Sequence, residues 1–156
     1  MASGEELKRV LRRHPVGVSV VSVDLEGERL GLTVASLVSL ALEPPLVGIS
    51  IARSAALHEL LRGAGGFAVS LLGAGQRSLA QHFARGVPPI ALWTGVETAE
   101  GPRGPLLAGS LGWLECALEA EHEAGDHTLF VGLVERAEEG VAGAPLFRLD
   151  GGYQGA

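Results

Sequence analysis

Three hydroxyl side chains, Thr33, Ser36 and Ser39, recur every third residue inside the otherwise apolar run Gly31-Leu-Thr-Val-Ala-Ser-Leu-Val-Ser-Leu-Ala-Leu-Glu-Pro-Pro45. Hydroxyls and the backbone amides beside them can donate to the polar edge of a small ligand. A straight strand, with its period of two, would scatter that spacing over both faces. The chain is therefore predicted to bulge or become a loop near Ala35, turning the three hydroxyls towards one ligand edge. Arg53-Ser54 offers a second chemistry, since a guanidinium fork beside the free amides of a helix start suits an anion. The plainer role of Ser54 is to cap that helix. His127 follows Gly125-Asp126 on a tight turn, where an imidazole can project over a groove and carry or stabilise charge near neutral pH.

Other constellations carry less. Cys116 falls on the apolar side of an alternating segment, where a thiol is inert packing. Five histidines and one cysteine form no His-x-x-x-His or Cys-x-x-Cys pair, which argues against a metal site. Without a Gly-x-Ser-x-Gly elbow a serine hydrolase has no support, and adjacent Asp126 and His127 are not expected to orient each other as a triad requires. His58 is expected on the solvated surface of its helix. No dinucleotide fingerprint or phosphate loop is present, so a bound nucleotide would be held in another way.

Short elements must position these residues. A helix over Glu5 to Arg13 stops at His14-Pro15, and Val16–Val23 and Arg29–Val34 form a hairpin around Asp24 to Glu28. Leu46–Ile51 is a buried strand, and Ser54 caps a helix through Arg62. Phe67–Leu72 is a strand, and the helix over Gln76 to Ala84 turns Leu79 and Phe83 inwards. Gly86 to Pro105 is the least regular stretch, read as a lid beside a site or as a solvated connection. Trp113 to Glu123 alternates Leu114, Cys116, Leu118 and Ala120 against a water-facing set that includes Glu115. His127–Val134 returns from it, and Pro145 to Leu149 adds a last strand. Such a succession predicts a mainly β, closed antiparallel barrel with short helices in the connections.

A length of 156 residues suits one domain over residues 1–156. A net charge of −6 without a basic run argues against nucleic acid or an anionic membrane surface. No apolar run approaches the roughly 20 residues of a membrane helix. A lone cysteine and no leader-like start make the cytoplasm the expected compartment.

Taken in order, Gly31-Leu-Thr33, Ala35-Ser36, Ser39, Glu43-Pro-Pro-Leu-Val47, Arg53-Ser54, Phe67-Ala-Val-Ser70, Phe83-Ala84, Trp113-Leu-Glu-Cys116, Gly125-Asp-His-Thr128 and Gly152-Tyr153 resemble the flavin reductase-like family of FMN-binding split barrels. That family includes the small reductase components of two-component flavin monooxygenases. The resemblance runs from about Arg13 to Tyr153 and implies a six-stranded Greek-key split β-barrel that forms a homodimer. It implies FMN, with FAD as a possible substitute, and NADH or NADPH as electron donor. It implies that Thr33, Val34, Ala35, Ser36 and Ser39 hold the ring edge and ribityl chain, and that Ala52, Arg53 and Ser54 lie at the phosphate. Phe83 is implied at one edge of the ring and Tyr153 at the pocket mouth, each also readable as packing. His127 is implied as the catalytic residue beside flavin and nicotinamide. Leu37 stands where an aromatic residue is usual and Ala41 where a second serine is, and Gly86–Pro105 matches no motif. The resemblance implies an NAD(P)H-dependent flavin reductase that supplies reduced flavin to a partner monooxygenase. The alternatives are a non-catalytic flavin carrier or store and a purely structural barrel.

Overall fold

The computed structural model describes residues 1–155. Its chain opens with α1 (Gly4–Leu11), β1 (Val16–Gly17), β2 (Ser19–Leu25), β3 (Glu28–Val34), β4 (Val38–Leu42) and β5 (Pro45–Ala52). Then come α2 (Ala56–Ala64), β6 (Gly66–Leu71), a 3-10 turn at Ala74–Gln76, α3 (Arg77–Ala84), α4 (Pro89–Leu92), β7 (Thr98–Ala99) and β8 (Leu106–Leu107). The long pair β9 (Gly112–Ala124) and β10 (His127–Glu139) precedes β11 (Leu146–Leu149) and β12 (Gly152–Gly155).

Local chemistry accounts for several boundaries. Ser3 and Glu6 form a reciprocal capping box at the start of α1. The hairpin turn places Glu26 and Gly27 at φ 53° and 88°, a left-handed pair that matches strand twist, and Asp24 Oδ1 accepts from Gly27 N at 2.9 Å. Gly65, at φ 70°, ends α2 in the left-handed conformation that glycine adopts without a Cβ penalty. Ser54 does not cap α2. The cap position is Ala55, with no side-chain bond, because the turn after β5 starts the helix one residue later and leaves the Ser54 hydroxyl outside it.

Seven strands form one antiparallel sheet in the order β3-β2-β6-β9-β10-β5-β4. This corrects the expected six-stranded closed barrel, since no ladder joins the edge strands β3 and β4. The chain itself forces the sheet to curl. Only Ala35–Leu37 separate the last residue of β3 from the first of β4, and that link can reach about 14 Å. A flat sheet of this strand number would hold its edges about 29 Å apart. The curl brings β3 beside β5 without pairing them. Ser36 fastens the seam, with its hydroxyl accepting from Ser50 N at 3.0 Å and donating to Ser50 O at 3.1 Å.

Val20, Val21, Val23, Ile49, Ile51, Phe67, Val69 and Phe130 form the centre of the core. On one side α2 bridges the two halves of the curled sheet. Its Leu57 and Leu61 are buried, and His58 reaches β10, bonding Thr128 Oγ1 at 2.7 Å and packing on Phe130. His58 is thus buried rather than solvated. The other side is covered by the stretch that the sequence left irregular. Ser22, Ser70 and Glu115 share one face by register. There Ser22 Oγ donates to Pro105 O, Ser70 Oγ accepts from Leu107 N, and Glu115 accepts from Arg103 N. Glu115, expected in water, is 2% exposed and also receives Arg136 at 3.2 Å. Residues 101–107 are therefore a seated layer, not a lid. The strand β12 is missing from the sequence reading, which placed its last strand at Pro145 to Leu149; β12 pairs with β11.

Candidate active site

The three hydroxyls do not converge. The bend at Ala35–Leu37 is a hand-off between opposite sheet edges, so residues on either side of it part company. Thr33 Oγ1 donates to Ala80 O of α3 at 2.6 Å, Ser36 is the seam clamp, and Ser39 is exposed on β4 opposite Val47. What gathers instead is backbone. Ala35, Ser36 and Leu37 belong to neither strand, and no backbone hydrogen bond outside strands and helices involves them. Their amides are available donors beside a small side chain at Ala35. Val34 is buried at the end of β3, Leu37 packs against the core, and Ala41 pairs with Leu46.

A second set meets this seam. The turn Gly125-Asp126 sends β10 back from β9 with Gly125 at φ 61°, so His127 stands directly opposite Ala52. Arg53 N donates to Asp126 O at 3.0 Å, and the Arg53 guanidinium donates to the carbonyls of His127, at 3.1 Å, and of Gly125. Arg53 therefore fixes the turn that carries the histidine while keeping further N–H donors free. Past it, the amides of Ala56 and Leu57 open α2 without a backbone partner, and Ser54 lies beside them.

Asp126 Oδ1 lies 2.7 Å from His127 Nδ1. The two neighbours do orient each other, contrary to the expectation from sequence. Hydrogen bonding from His127, and then the charge of the imidazole, holds the Asp126 carboxyl below the usual carboxylate range. An ionised carboxylate only accepts, so Nδ1 carries the proton and Nε2 is left to face a ligand. No hydroxyl or thiol lines the groove beside His127, so this pair has no nucleophile to activate. Cys116 is buried, and desolvation pushes its thiol up to about 12.

Ala35 and His127 line one groove of about 750 Å³, within the range of small-ligand sites. Its other wall is one edge of α1 with the β11–β12 turn, including Lys8, Arg12, His14, Arg148 and Asp150. Sequence reasoning had treated this helix as scaffold. Its one signal was an amphipathic stripe of Leu7, Val10 and Leu11, which the fold leaves exposed. Phe83 lies elsewhere, 2% exposed, packed on Trp93 and close against Gly31, and it borders a second hollow of about 350 Å³ beside Val87 and Pro88. Tyr153 is half-buried on β12, opposite Arg148, whose guanidinium sits 5.3 Å from the ring centre.

The donor set fits a flat ring system with a polar edge and an anionic tail. Available amides and a small residue stand at the seam, an imidazole stands in the groove, and a helix start with Arg53 and Ser54 supplies an anion end. Comparison with known proteins agrees. The family model for the flavin reductase like domain matches residues 11–156. The reductase component of 4-hydroxyphenylacetate 3-monooxygenase from Thermus thermophilus is 41% identical over 150 residues, covering 96% of this chain and 95% of its own. An NADH:FMN oxidoreductase from Rhodococcus erythropolis is 38% identical, covering 95% of this chain and 79% of its own. The solved structure of an NADH:FAD oxidoreductase from Streptomyces globisporus superimposes with a TM-score of 0.91 at 36% identity, over 99% of this chain and 95% of that one. With its seam amides, its oriented histidine and this overlap along nearly its whole length, the chain belongs to the flavin reductase-like family.

Proposed function

We propose that this protein is a single-domain NAD(P)H-dependent flavin reductase that passes hydride from nicotinamide to FMN, or to FAD, and supplies reduced flavin to a partner monooxygenase. The observation that carries this reading is the meeting at one groove of Ala35, which opens the unpaired Ala35–Leu37 link, with His127, whose ring is bonded to Asp126. The bound flavin supplies the hydride acceptor at ring N5.

The protein's own work is placement. Amides of Ala35, Ser36 and Leu37 would donate to the ring's polar edge, and the Ala35 methyl leaves the ring room to approach. Ser54, the free donors of Arg53 and the opening amides of α2 would hold the phosphate, where the helix dipole favours negative charge. In its imidazolium form, with Asp126 accepting from Nδ1–H, His127 would donate its Nε2–H to the negative charge that arrives with the hydride and would align the nicotinamide. Alignment of this kind can supply effective molarities of about 10⁵ M and above. Thr33, Ser36, Val34 and Ala52 act one step back, by fixing the backbone that presents these groups. Phe83 does the same from the core, Tyr153 supports Arg148 at the groove's rim, and Ser39 lies on the exposed strand β4.

The assembly is proposed to be a homodimeric split barrel. Val38 and Leu40 of β4 crowd with Leu129 around Gly48 on the outer face of β4, β5 and β10, and Val38 and Leu40 are each 45% exposed. An exposed apolar edge strand of this kind is normally covered by a second copy or by another element. No helix among the described residues is long and apolar enough to cross a membrane. The proposed compartment is the cytoplasm, a reading that the buried free thiol of Cys116 supports. The carrier alternative has no counterpart among the relatives named above, which are a reductase component and two NADH:flavin oxidoreductases by name.

An anaerobic visible spectrum of the FMN-reconstituted protein, before and after NADH and then NADPH, tests the reading. Bleaching of the oxidised flavin band at a catalytic rate is the expected result. Stable binding without bleaching by either donor would defeat it.

A further inference from the structure

Twelve lysine and arginine side chains occur in this acidic chain. Arg29, Arg62, Arg103 and Arg136 are paired with carboxylates. Among the described residues Lys8, Arg12 and Arg148 form no ion pair, yet all three line the groove that holds His127. The fold brings them there from two distant segments. Asp150 N donates to Arg12 O at 2.8 Å, which ties the end of α1 to the turn after Arg148. Arg12 lies against Gly151, with its Nε 3.7 Å from where a Cβ would stand. The one carboxylate lining the groove is Asp150. Three cations on one wall repel each other unless an anion sits among them.

The same wall carries apolar surface. Leu7 and Leu11 line the groove and are 56% and 51% exposed, and α1 buries none of its residues. An amphipathic helix normally lays such a stripe on the core. Here cation and apolar residue alternate along one edge, a surface suited to a ligand that joins phosphates to a flat base.

We propose that Lys8, Arg12 and Arg148 clamp the diphosphate of an adenine dinucleotide, with the adenine against Leu7 and Leu11, so that its redox half points towards His127. This rests on the reductase reading of the same groove and adds to it the half of the substrate that does no chemistry. The diphosphate comes either from the nicotinamide donor or from FAD. Binding energy from that remote half orders the reacting half.

The direct probe is ADP, titrated calorimetrically into the full protein. Lys8→Gln/Arg12→Gln leaves the backbone tie from Asp150 intact, and Arg148→Gln tests the other segment should α1 fray. Loss of charge-assisted phosphate contacts is expected to weaken ADP at least about tenfold in either variant, and added salt should weaken it in the wild type. The KM for NADH should rise about tenfold while that for reduced nicotinamide mononucleotide, which lacks the ADP half, moves less than about twofold. A fall in FAD affinity relative to FMN, with the NADH to mononucleotide ratio unchanged, would assign the diphosphate to flavin instead. Wild type that ignores ADP, or variants in which NADH and the mononucleotide suffer equally and FAD and FMN stay level, would overturn the clamp. Charge-dependent ADP binding by a protein that never bleaches flavin would sink the reductase reading and leave the clamp standing.

Discussion

His127 is held from two sides. Asp126 sets its tautomer through Nδ1, and Arg53 fixes the carbonyls of residues 125 and 127 beneath it. A carboxylate whose folded-state pKa is depressed contributes above its ordinary pKa and loses that contribution only as pH falls through the lowered value. Asp126 is such a group, so it should keep orienting His127 throughout about pH 5 to 8. His127→Ala is expected to slow flavin bleaching by about 10–100-fold with FMN affinity nearly intact, and Asp126→Asn by about tenfold, because the amide admits the wrong tautomer. Stopped-flow reduction at fixed NADH, beside an FMN titration, reads both effects. A wild-type bleaching rate in His127→Ala removes the imidazole from the reaction. The sequence placed this histidine on its turn. It did not reveal the bond to Asp126, because whether neighbouring side chains meet depends on turn dihedrals that the pattern of residues leaves open.

At the scale of elements, the seam between β3 and β4 is the decisive joint. Ser36 satisfies both backbone groups of Ser50 where no strand pairs, so Ser36→Ala leaves that amide and carbonyl without their partner. The expected loss is about 1–3 kcal/mol of stability, measured by chemical denaturation, together with weakened FMN binding as the neighbouring amides lose their register. Unchanged stability would mean that water replaces the hydroxyl and that the clamp is dispensable. Periodicity predicted that this run bends near Ala35. It assigned the hydroxyls to a ligand, whereas two of them serve the fold, because a hydroxyl spacing says nothing about which neighbour will lie opposite. The same blindness put Glu115 in water, when residues 101–107 fold back over its face.

For the whole molecule, the outer face of β4, β5 and β10 asks for a partner. Leu129→Glu places a charge among Val38, Leu40 and Gly48, where burial against a second copy would be costly. Light scattering should find the wild type as a dimer and the variant shifted to monomer, with flavin affinity reduced if the second copy closes the site. A wild type that is already monomeric would instead assign that face to a different protein. The open sheet, the helix across its inner side and the seated loop on its outer side form one unit only because the link at Ala35–Leu37 is too short to span a flat sheet.

The sequence by itself determined most of the longer strands and helices, the hairpin at Asp24–Glu28, the turn before His127 and the family, but not the short elements β4, β7, β8, β12 and α4. The features it determined are local or read from ordered motifs. Alternation, capping residues and turn residues act over a few positions, so they survive in the linear text. Tertiary structure alone decided that the sheet has seven strands and stays open, that Arg53 grips the histidine turn, that His58 and Glu115 are buried, and that α1 meets the turn after Arg148 across a groove. Each joins segments far apart in the chain, and their meeting is fixed by curl, register and packing, which no short run of residues encodes.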